Sequence, residues 1–408
     1  MKRTLITNIG MLATPQGTAA RGGRAQGEIC ILKNAWILIE NDVIAQVGTG
    51  AAPAAADAQT INAGGKLVTP GLVDAHTHLI FGGWRQNELA LKLHGAGYLD
   101  ILAAGGGILS TMRATKAASE EQLEAKASAA LDEMLRFGTT TAEAKSGYGL
   151  STGEECKALR VIGKLQKHHV MDLAATFMGA HAVPEAYRDN RQGYLELLCE
   201  EMLPAIQEQG IAEFCDVFCE KGVFSAEESR RILLTGRQYG LRPKIHADEI
   251  EAIGGSELAG EIGAVSAEHL IVCPPSGIAS MARGGTVACC LPATSFYLGA
   301  AYAPVQDMVQ AGVPVAMATD FNPGSCPCLN MQLVISLGCL RYRLTPEQAL
   351  TAVTLNGAAA ICRADRIGSI EPGKQADILI WNAEDLDYIC YRLGSNLVDT
   401  VIKKGNVV

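Results

Sequence analysis

Between about residues 69 and 362, short apolar segments alternate with segments that have the composition and spacing of amphipathic helices. The segment SEEQLEAKASAALDEMLRF is typical of a helix, and SAEE at 225–228 has the spacing of a helix-capping box. The candidate strands between such helices are 139–144, 172–181, 213–219, 242–247, 266–270, 286–291 and 313–320. This alternation predicts an α/β fold of the (β/α)8 TIM-like barrel type.

A doubly wound parallel sheet is the structural competitor, because it is built from the same alternating units. The glycine-rich stretch AAGGGI at 103–108 is the only candidate for a phosphate-binding loop. It follows no early strand in the right context and carries no P-loop lysine. We therefore interpret it as a loop, and we favour the barrel.

Both ends of the chain have a different pattern from the centre. Residues 4–9 and 36–47 alternate like strands, and the last forty residues contain short strands separated by Gly and Pro turns. We expect these ends to pair in a small β-sandwich made of residues 1–68 and 363–408, with the catalytic barrel of residues 69–362 inserted between them.

Composition excludes several classes of partner. The net charge of −9 argues against binding to nucleic acid or to an anionic membrane, and no apolar stretch approaches the length of a membrane span. The N-terminal segment reads as a strand and not as a secretory signal. The 13 cysteines are odd in number and lie mostly in apolar runs, which indicates reduced thiols and a cytoplasmic protein.

Polar residues directly follow several of the candidate strands. In a (β/α)8 barrel the carboxyl ends of the strands converge on the active site. His76 and His78 are two residues apart, so on a strand both side chains face the same way, as half of a metal site would require. The other polar residues at strand ends are His181, His246, His269 and Asp320.

Each of these residues also has a structural interpretation. A lone His-x-His pair is most often chance, and a histidine at a strand end is usually a hydrogen-bonded structural residue. Asp320 could cap the turn in DFNPG, and Glu249 could be an acid at a helix N-terminus. Their occurrence at successive strand ends favours a shared functional site.

Several motifs together resemble a known family. PGLVDAHTH, followed near the C-terminus by GSIEPGKQADILIW, resembles the metal-dependent amidohydrolase superfamily. Within it, HTHLIFGGWRQNEL, GGGILSTMRAT, EAKSGYGLS, GAHAVP, HADE, SAEHL and ATDFNPGS resemble the imidazolonepropionase family of histidine degradation. The resemblance covers essentially the whole chain.

The resemblance implies a single catalytic metal ion, Zn or Fe, held by His76, His78, His246 and Asp320. A water activated by this metal would open the ring of 4-imidazolone-5-propanoate and give N-formimidoyl-L-glutamate. Glu249, His269 and Asp320 are the candidates for proton transfer and for polarising the carbonyl group, and their division of labour stays open.

The resemblance also implies a set of substrate contacts. Arg85 matches an arginine that binds the carboxylate tail, for which a guanidinium fork is suited. The remaining positions of this set are Tyr98, Tyr148, His181, Glu249, Asn322, Gly324 and Ser325. Alternatives remain for two of them, since Arg85 could be a surface charge and Tyr148 a packing residue. The family also suggests a homodimer.

Two features depart from expectation or invite a different function. Cys326 and Cys328 stand where small polar residues are expected, which puts the detailed contacts of that loop in doubt. Lys145 could suggest a carboxylated lysine between two metals, but the resemblance implies one metal, so we interpret it as a supporting residue.

Three other functions compete with this interpretation. A deaminase of the same superfamily would share the metal ligands but would have no use for an arginine that recognises a carboxylate. A non-catalytic assembly protein should lack part of the ligand set, and a nucleotide-binding oxidoreductase should have a phosphate-binding glycine pattern.

Overall fold

The computed structural model describes residues 2–54, 57–95 and 106–408. Segments from the two ends of the chain form one eight-stranded mixed sheet, in the order β16-β15-β14-β5-β1-β2-β3, with β4 paired to β1. Its strands are β1 Arg3–Thr14, β2 Cys30–Glu40, β3 Val43–Thr49, β4 Gln59–Asn62, β5 Leu67–Pro70, β14 Ile378–Trp381, β15 Val398–Lys403 and β16 Asn406–Val407.

This sheet folds over a small apolar core of its own, and an antiparallel bridge joins Val43 to Gln375. The predicted pairing of the N- and C-terminal segments in a separate β unit is confirmed. Strand β5 spans the predicted boundary at residue 68, and the first barrel strand begins at Leu72. The backbone of Gly71 packs tightly against the side chain of Thr140 at this junction, since a Cβ on Gly71 would lie 2.3 Å from Thr140 Oγ1.

The centre of the chain forms a second eight-stranded sheet in which neighbouring strands are parallel and follow chain order. Its strands are β6 Leu72–Asp74, β7 Thr139–Lys145, β8 Asp172–Ala180, β9 Phe214–Cys219, β10 Arg242–Ala247, β11 Ser266–His269, β12 Val287–Cys290 and β13 Val315–Met317. The predicted (β/α)8 barrel is confirmed, and a doubly wound sheet is excluded, because the strand order never reverses.

The barrel closes where the segments after β6 and β13 meet. The Asp320 N–H donates to the His76 carbonyl at 3.0 Å, and the His78 N–H donates to the Phe321 carbonyl at 2.9 Å. Below them, the buried Asp74 carboxylate accepts hydrogen bonds from the Thr319 N–H and hydroxyl. Closure therefore places the first and last barrel segments, each with site residues, side by side.

Helices follow the barrel strands and cover the sheet. Ser119, Ser225 and Thr345 each form a capping box, which confirms the prediction for 225–228. The α-helices are Leu89–Leu93, Gly107–Ala117, Glu120–Arg136, Thr152–His168, Arg191–Glu196, Leu203–Gln209, Ala226–Gln238, Gly255–Ile262, Pro275–Gly284, Pro292–Leu298, Val305–Gln310, Met331–Tyr342, Pro346–Ala352, Leu355–Ala360 and Leu386–Tyr391. A π-helix spans Leu197–Met202, and 3-10 turns span Gly23–Gly27, Gln86–Glu88 and Glu185–Tyr187.

Two further predictions from the sequence concern the glycine-rich stretch and membrane-spanning segments. The glycine-rich stretch 103–108 lies partly outside the described residues, and a helix begins within it at Gly107. Within the described parts of the chain, no helix combines the length and the apolar character that crossing a membrane requires.

Candidate metal centre and active site

The four predicted metal ligands lie together at the carboxyl end of the barrel. His76 Nε2 and His78 Nε2 are 3.4 and 3.6 Å from Asp320 Oδ1, and His246 Nε2 is 3.3 Å from His78 Nε2. Ligands around a tetrahedral zinc ion at about 2.05 Å would be about 3.3 Å apart. The spacing therefore fits one metal ion.

The protonation of these side chains also suits a metal. Burial and the neighbouring positive groups hold the pKa of His76 and His78 well below the usual value, so both rings are neutral and keep a lone pair. Among the described residues, no hydrogen-bond partner reaches His76 Nε2, His78 Nδ1 or His269 Nδ1. Because buried polar atoms are normally satisfied, His76 Nε2, which faces Asp320, is suited to bind a ligand.

His269 lies at the same cluster. Ligand atoms of His76, His246 and His269 lie within 4.8 Å of one another, as do those of His76, His78 and Asp320. Burial lowers the pKa of His269 to about 4, so its imidazole is neutral and can donate one hydrogen bond. The geometry suits either metal binding or contact with the substrate carbonyl, which the sequence assigned to it.

Backbone strain directs two of these side chains. His269 has φ +68° and Asp320 has φ +56°, both in the left-handed region that non-glycine residues rarely occupy. At a strand end this conformation turns the side chain out of the strand's regular alternation. Strained residues of this kind often cluster at active sites, and no sequence pattern indicated the strain at these two positions.

Glu249 faces the cluster from the loop that follows β10. Its Oε2 is 3.6 Å from His269 Nε2. Although 17% of its side chain is exposed, burial of the carboxyl group raises the pKa of Glu249 to about 7. A carboxyl group that titrates near neutral pH is suited to accept and return a proton.

Two carboxylates missing from the sequence-based site support the histidines. Glu268 Oε2 lies 2.9 Å from His76 Nδ1, and Asp216 lies 3.1 Å from His246 Nδ1. Such partners fix the ring orientation and leave Nε2 for a metal. For Asp216 the signal was an acid within the apolar strand FCDVFC, which predicts a paired buried charge, whereas Glu268 lies in the mostly polar strand SAEH and had no such signal.

Asp320 has a partner that the sequence did not indicate. Thr294, at the start of the helix Pro292–Leu298, donates its hydroxyl to Asp320 Oδ2 at 2.7 Å. This bond leaves Oδ1 facing His76 and His78. The alternative that Asp320 only caps the following turn does not explain its buried carboxylate, which is 2% exposed.

Tyr148 and His181 form one wall beside the histidines. The His181 ring stacks on His78 with centroids 4.8 Å apart and an interplanar angle of 17°, and Tyr148 contacts both rings. His181 Nδ1 lies 3.0 Å from the Gly147 carbonyl, which orients the ring. The structure thus brings both residues to the predicted site, and neither is a peripheral packing residue.

Arg85 is not a surface charge. Its side chain is 13% exposed, and Nε and Nη2 donate to the two oxygens of Glu88 at 2.9 and 2.8 Å. Glu88 also accepts from the Gly107 N–H at 2.7 Å, so it joins Arg85 to the start of the helix Gly107–Ala117. Sequence analysis missed Glu88, although an acid three residues after Arg85 in a short helical turn is a pairing signal.

Gly324 provides space for this guanidinium group. A Cβ at this position would lie 2.1 Å from Arg85 Nη1, so any side chain here would displace the arginine. The backbone of Gly324 therefore packs closely against Arg85, and contact of Gly324 with substrate stays a prediction.

Asn322 organises the loop that carries Gly324 and Ser325. Its Oδ1 accepts the N–H groups of both residues at 2.8 and 2.7 Å, and its Nδ2 donates to the Asp320 carbonyl at 2.7 Å. Its amide is thus already engaged within the loop. Cys326 is buried and its carbonyl accepts from the Asn322 N–H, so this residue packs where a polar contact was expected.

Tyr98 and Lys145 are the remaining residues that the sequence singled out. Tyr98 lies outside the described residues. Lys145 is buried and pairs with Asp216 and Glu143 at 2.6 and 2.9 Å, in agreement with a supporting role.

Comparison with known proteins identifies the family. Residues 67–408 match the model of the amidohydrolase family. The chain is 50% identical to a curated imidazolonepropionase of Alkaliphilus metalliredigens (strain QYMF) over 414 residues, covering 100% of this chain and 98% of the relative. It is 49% identical over 410 residues to an imidazolonepropionase of Bacillus cereus (strain G9842), covering 100% and 97%.

Solved structures with less than 25% identity share the fold. A zinc-bound adenosine deaminase from Xanthomonas campestris superposes with a TM-score of 0.72 at 21% identity, covering 99% of this chain and 92% of that one. An atrazine chlorohydrolase from Arthrobacter aurescens TC1 complexed with zinc gives a TM-score of 0.74 at 18% identity, covering 99% and 94%. The chain therefore belongs to the amidohydrolase family and groups with its imidazolonepropionase members.

Proposed function

We propose that this chain is a metal-dependent hydrolase that opens the ring of 4-imidazolone-5-propanoate to give N-formimidoyl-L-glutamate. The observation that carries the choice of substrate is Arg85, a half-buried arginine on the loop that leaves the His76–His78 segment. One short segment, from His76 to Arg85, therefore carries both a group that can bind an acidic tail and two of the predicted metal ligands. The full-length likeness to imidazolonepropionases supports the same substrate.

His76, His78, His246 and Asp320 would hold the metal ion, for which we propose Zn or Fe, since imidazole and carboxylate ligands suit both. When bound, such an ion supplies a Lewis acid and lowers the pKa of a water at its open position. Thr294 and the carboxylates Asp216 and Glu268 orient these ligands.

Glu249 is placed to take a proton from the attacking water, since its carboxyl group faces His269 with a pKa near neutrality. The oxygen of that water forms a bond to the ring carbonyl carbon, and the bond from this carbon to the ring nitrogen then breaks. Glu249 returns the proton to the leaving nitrogen. His269 stabilises the carbonyl oxygen with a hydrogen bond from its neutral ring.

The substrate tail would bind at Arg85. Glu88 takes Nε–H and one N–H of Nη2, and the guanidinium group has further N–H donors on its other edge for a carboxylate. The charges of both Asp320 and Arg85 act on the buried hydroxyl of Tyr148. This supports a position of the Tyr148 ring between the bound substrate tail and the metal centre. Asn322 and Ser325 keep the adjoining loop in place. A homodimer remains a prediction.

The first test is turnover. Purified protein loaded with zinc or iron should consume enzymatically generated 4-imidazolone-5-propanoate, followed as loss of its ultraviolet absorbance, with stoichiometric N-formimidoyl-L-glutamate as product. Ammonia release from adenosine, guanine or cytosine, without turnover of the imidazolone, would contradict the proposal in favour of a deaminase.

Arg85→Ala is expected to raise KM about 10- to 100-fold, because one charge-assisted ion pair with the tail contributes about 1.5–3 kcal/mol. Metal content should stay unchanged, since Arg85 contacts none of the predicted ligands in the structure. Steady-state kinetics and metal analysis measure both quantities.

Arg160→Ala is the matched control for Arg85→Ala, since Arg160 also pairs with a glutamate, Glu120, but on the outer helix Thr152–His168. Its KM should remain that of the wild type. Loss of metal from Arg85→Ala, or an unchanged KM, would mean that the tail binds elsewhere.

A further inference from the structure

The interior of the barrel contains a continuous chain of buried ion pairs below the metal centre. It links His76 to His246, and each step joins oppositely charged or hydrogen-bonding atoms. The steps are His76 Nδ1 to Glu268 Oε2 at 2.9 Å, Glu268 Oε1 to Lys244 Nζ at 3.3 Å, Lys244 Nζ to Glu143 Oε1 at 2.9 Å, Glu143 Oε2 to Lys145 Nζ at 2.9 Å, Lys145 Nζ to Asp216 Oδ2 at 2.6 Å, and Asp216 to His246 Nδ1 at 3.1 Å.

These side chains come from the inward faces of neighbouring strands. Glu143 and Lys145 are two apart on β7, and Lys244 and His246 are two apart on β10, so each pair points into the barrel. The lysine, glutamate and aspartate side chains of the chain are 0% exposed. Hydroxyl groups give further bonds to the network, since Thr176 donates to Glu143 and Ser266 donates to Glu268, both at 2.5 Å.

Folding of the barrel does not require these buried charges. Barrel interiors are usually filled by branched apolar side chains, and burying ion pairs costs desolvation that apolar residues of similar volume would avoid. The two carboxylates at the ends of the chain contact histidine Nδ1 atoms. A carboxylate at Nδ1 keeps the proton there and directs the Nε2 lone pair to a metal, but only while the carboxylate itself is held in position.

We propose that Lys145 and Lys244 are positioning residues of the metal centre, which act through Asp216 and Glu268 on the rings of His246 and His76. Glu143 connects the two lysines, so the orientations of both rings depend on one shared network. This inference rests on the proposed metal centre and is independent of which substrate the enzyme takes.

The test replaces each lysine by methionine, which preserves much of the length of the side chain and removes the charge. Lys145→Met and Lys244→Met should each bind Zn²⁺ about 10- to 100-fold more weakly, measured by competition with a chromophoric chelator. The visible absorption spectrum of the Co²⁺-substituted proteins should also change, because the ligand rings are no longer held in one orientation.

Lys403→Met is the matched control. Lys403 is a buried lysine with two carboxylate partners, Asp172 and Asp377 at 2.7 and 2.6 Å, but it lies where the terminal sheet meets the start of β8. This variant should lose thermal stability, as the barrel variants do, while its Zn²⁺ affinity and Co²⁺ spectrum stay those of the wild type. Glu143→Gln, which is nearly isosteric, provides a milder change if the lysine variants do not fold, and it should weaken Zn²⁺ binding in the same direction.

Three outcomes would overturn the inference. Folded lysine variants, or Glu143→Gln, could keep wild-type affinity and spectrum, which would make the network purely structural. Lys403→Met could weaken metal binding as much as the barrel variants, which would point to general destabilisation. Wild-type protein that binds no metal would overturn both this inference and the proposed metal centre, whereas metal binding without imidazolone turnover would overturn only the proposed substrate.

Discussion

Glu249→Gln is expected to lower kcat by about 10²- to 10⁴-fold, the usual contribution of a positioned general acid or base. Glutamine keeps the size of the side chain and its contact with His269 but accepts no proton at neutral pH. Bound metal should stay unchanged, because Glu249 is not among the predicted metal ligands, and KM should change much less than kcat, because glutamine keeps the size of the side chain. Steady-state kinetics and metal analysis on the same preparation measure all three quantities.

The pH dependence of kcat/KM tests the same role of Glu249. The pKa of Glu249 is raised to about 7 by burial, so the proton-accepting form should appear as the pH rises through about 7. In the wild type kcat/KM should rise with pH over that interval, and the limb due to Glu249 should be lost in Glu249→Gln.

Glu251→Gln is the control for Glu249→Gln, since Glu251 lies two residues along the same loop, is half exposed and pairs with Lys221. It should keep wild-type kcat. If Glu249→Gln also keeps wild-type kcat, another group moves the proton, and His269 or Asp320 becomes the candidate.

The barrel and the position of the site followed from the sequence because both depend on local patterns. Short apolar strands alternating with helices determine a parallel barrel, and chain order then brings all strand ends to one rim. His76, His246 and Asp320 could be placed together in this way, although up to 244 positions of chain separate them. No knowledge of their actual distances was needed.

The supporting residues could not be found in the same way. Asp216 and Glu268 precede the strand ends and were treated as parts of apolar strands, and their importance depends on which histidine each one faces across the barrel. The strained backbone of His269 and Asp320 likewise depends on tertiary packing and has no sequence signature. A buried acid in an otherwise apolar strand is the one signal that could have been used.

The contacts made by the loop after β13 also could not be predicted from the sequence. Resemblance predicted that Asn322, Gly324 and Ser325 contact substrate, and nothing in the structure tests that prediction. The structure does reveal that Asn322 hydrogen-bonds within the loop and that Gly324 packs against Arg85. The contact between Gly324 and Arg85 joins segments more than two hundred residues apart, which a motif alone does not specify.

Removal of the metal is expected to abolish turnover and to lower the melting temperature. His76 Nε2, which has no hydrogen-bond partner among the described residues, is then left buried and unsatisfied. A metal that binds only the folded protein stabilises it by about 4 kcal/mol when its free concentration is a thousand times Kd. Activity assays and thermal melts with and without a strong chelator measure both effects, and added Zn²⁺ or Fe²⁺ should restore them.

His246→Ala and His169→Ala separate this effect from general damage. His246 is a predicted ligand, whereas His169 pairs with Asp132 on the outside of the barrel. Chelator should lower the melting temperature of His169→Ala as it does that of the wild type, and should leave that of His246→Ala unchanged, because the ligand set is already broken. A chelator-sensitive His246→Ala, or a wild type that keeps its activity and melting temperature in chelator, would contradict the assignment of His246 as a ligand.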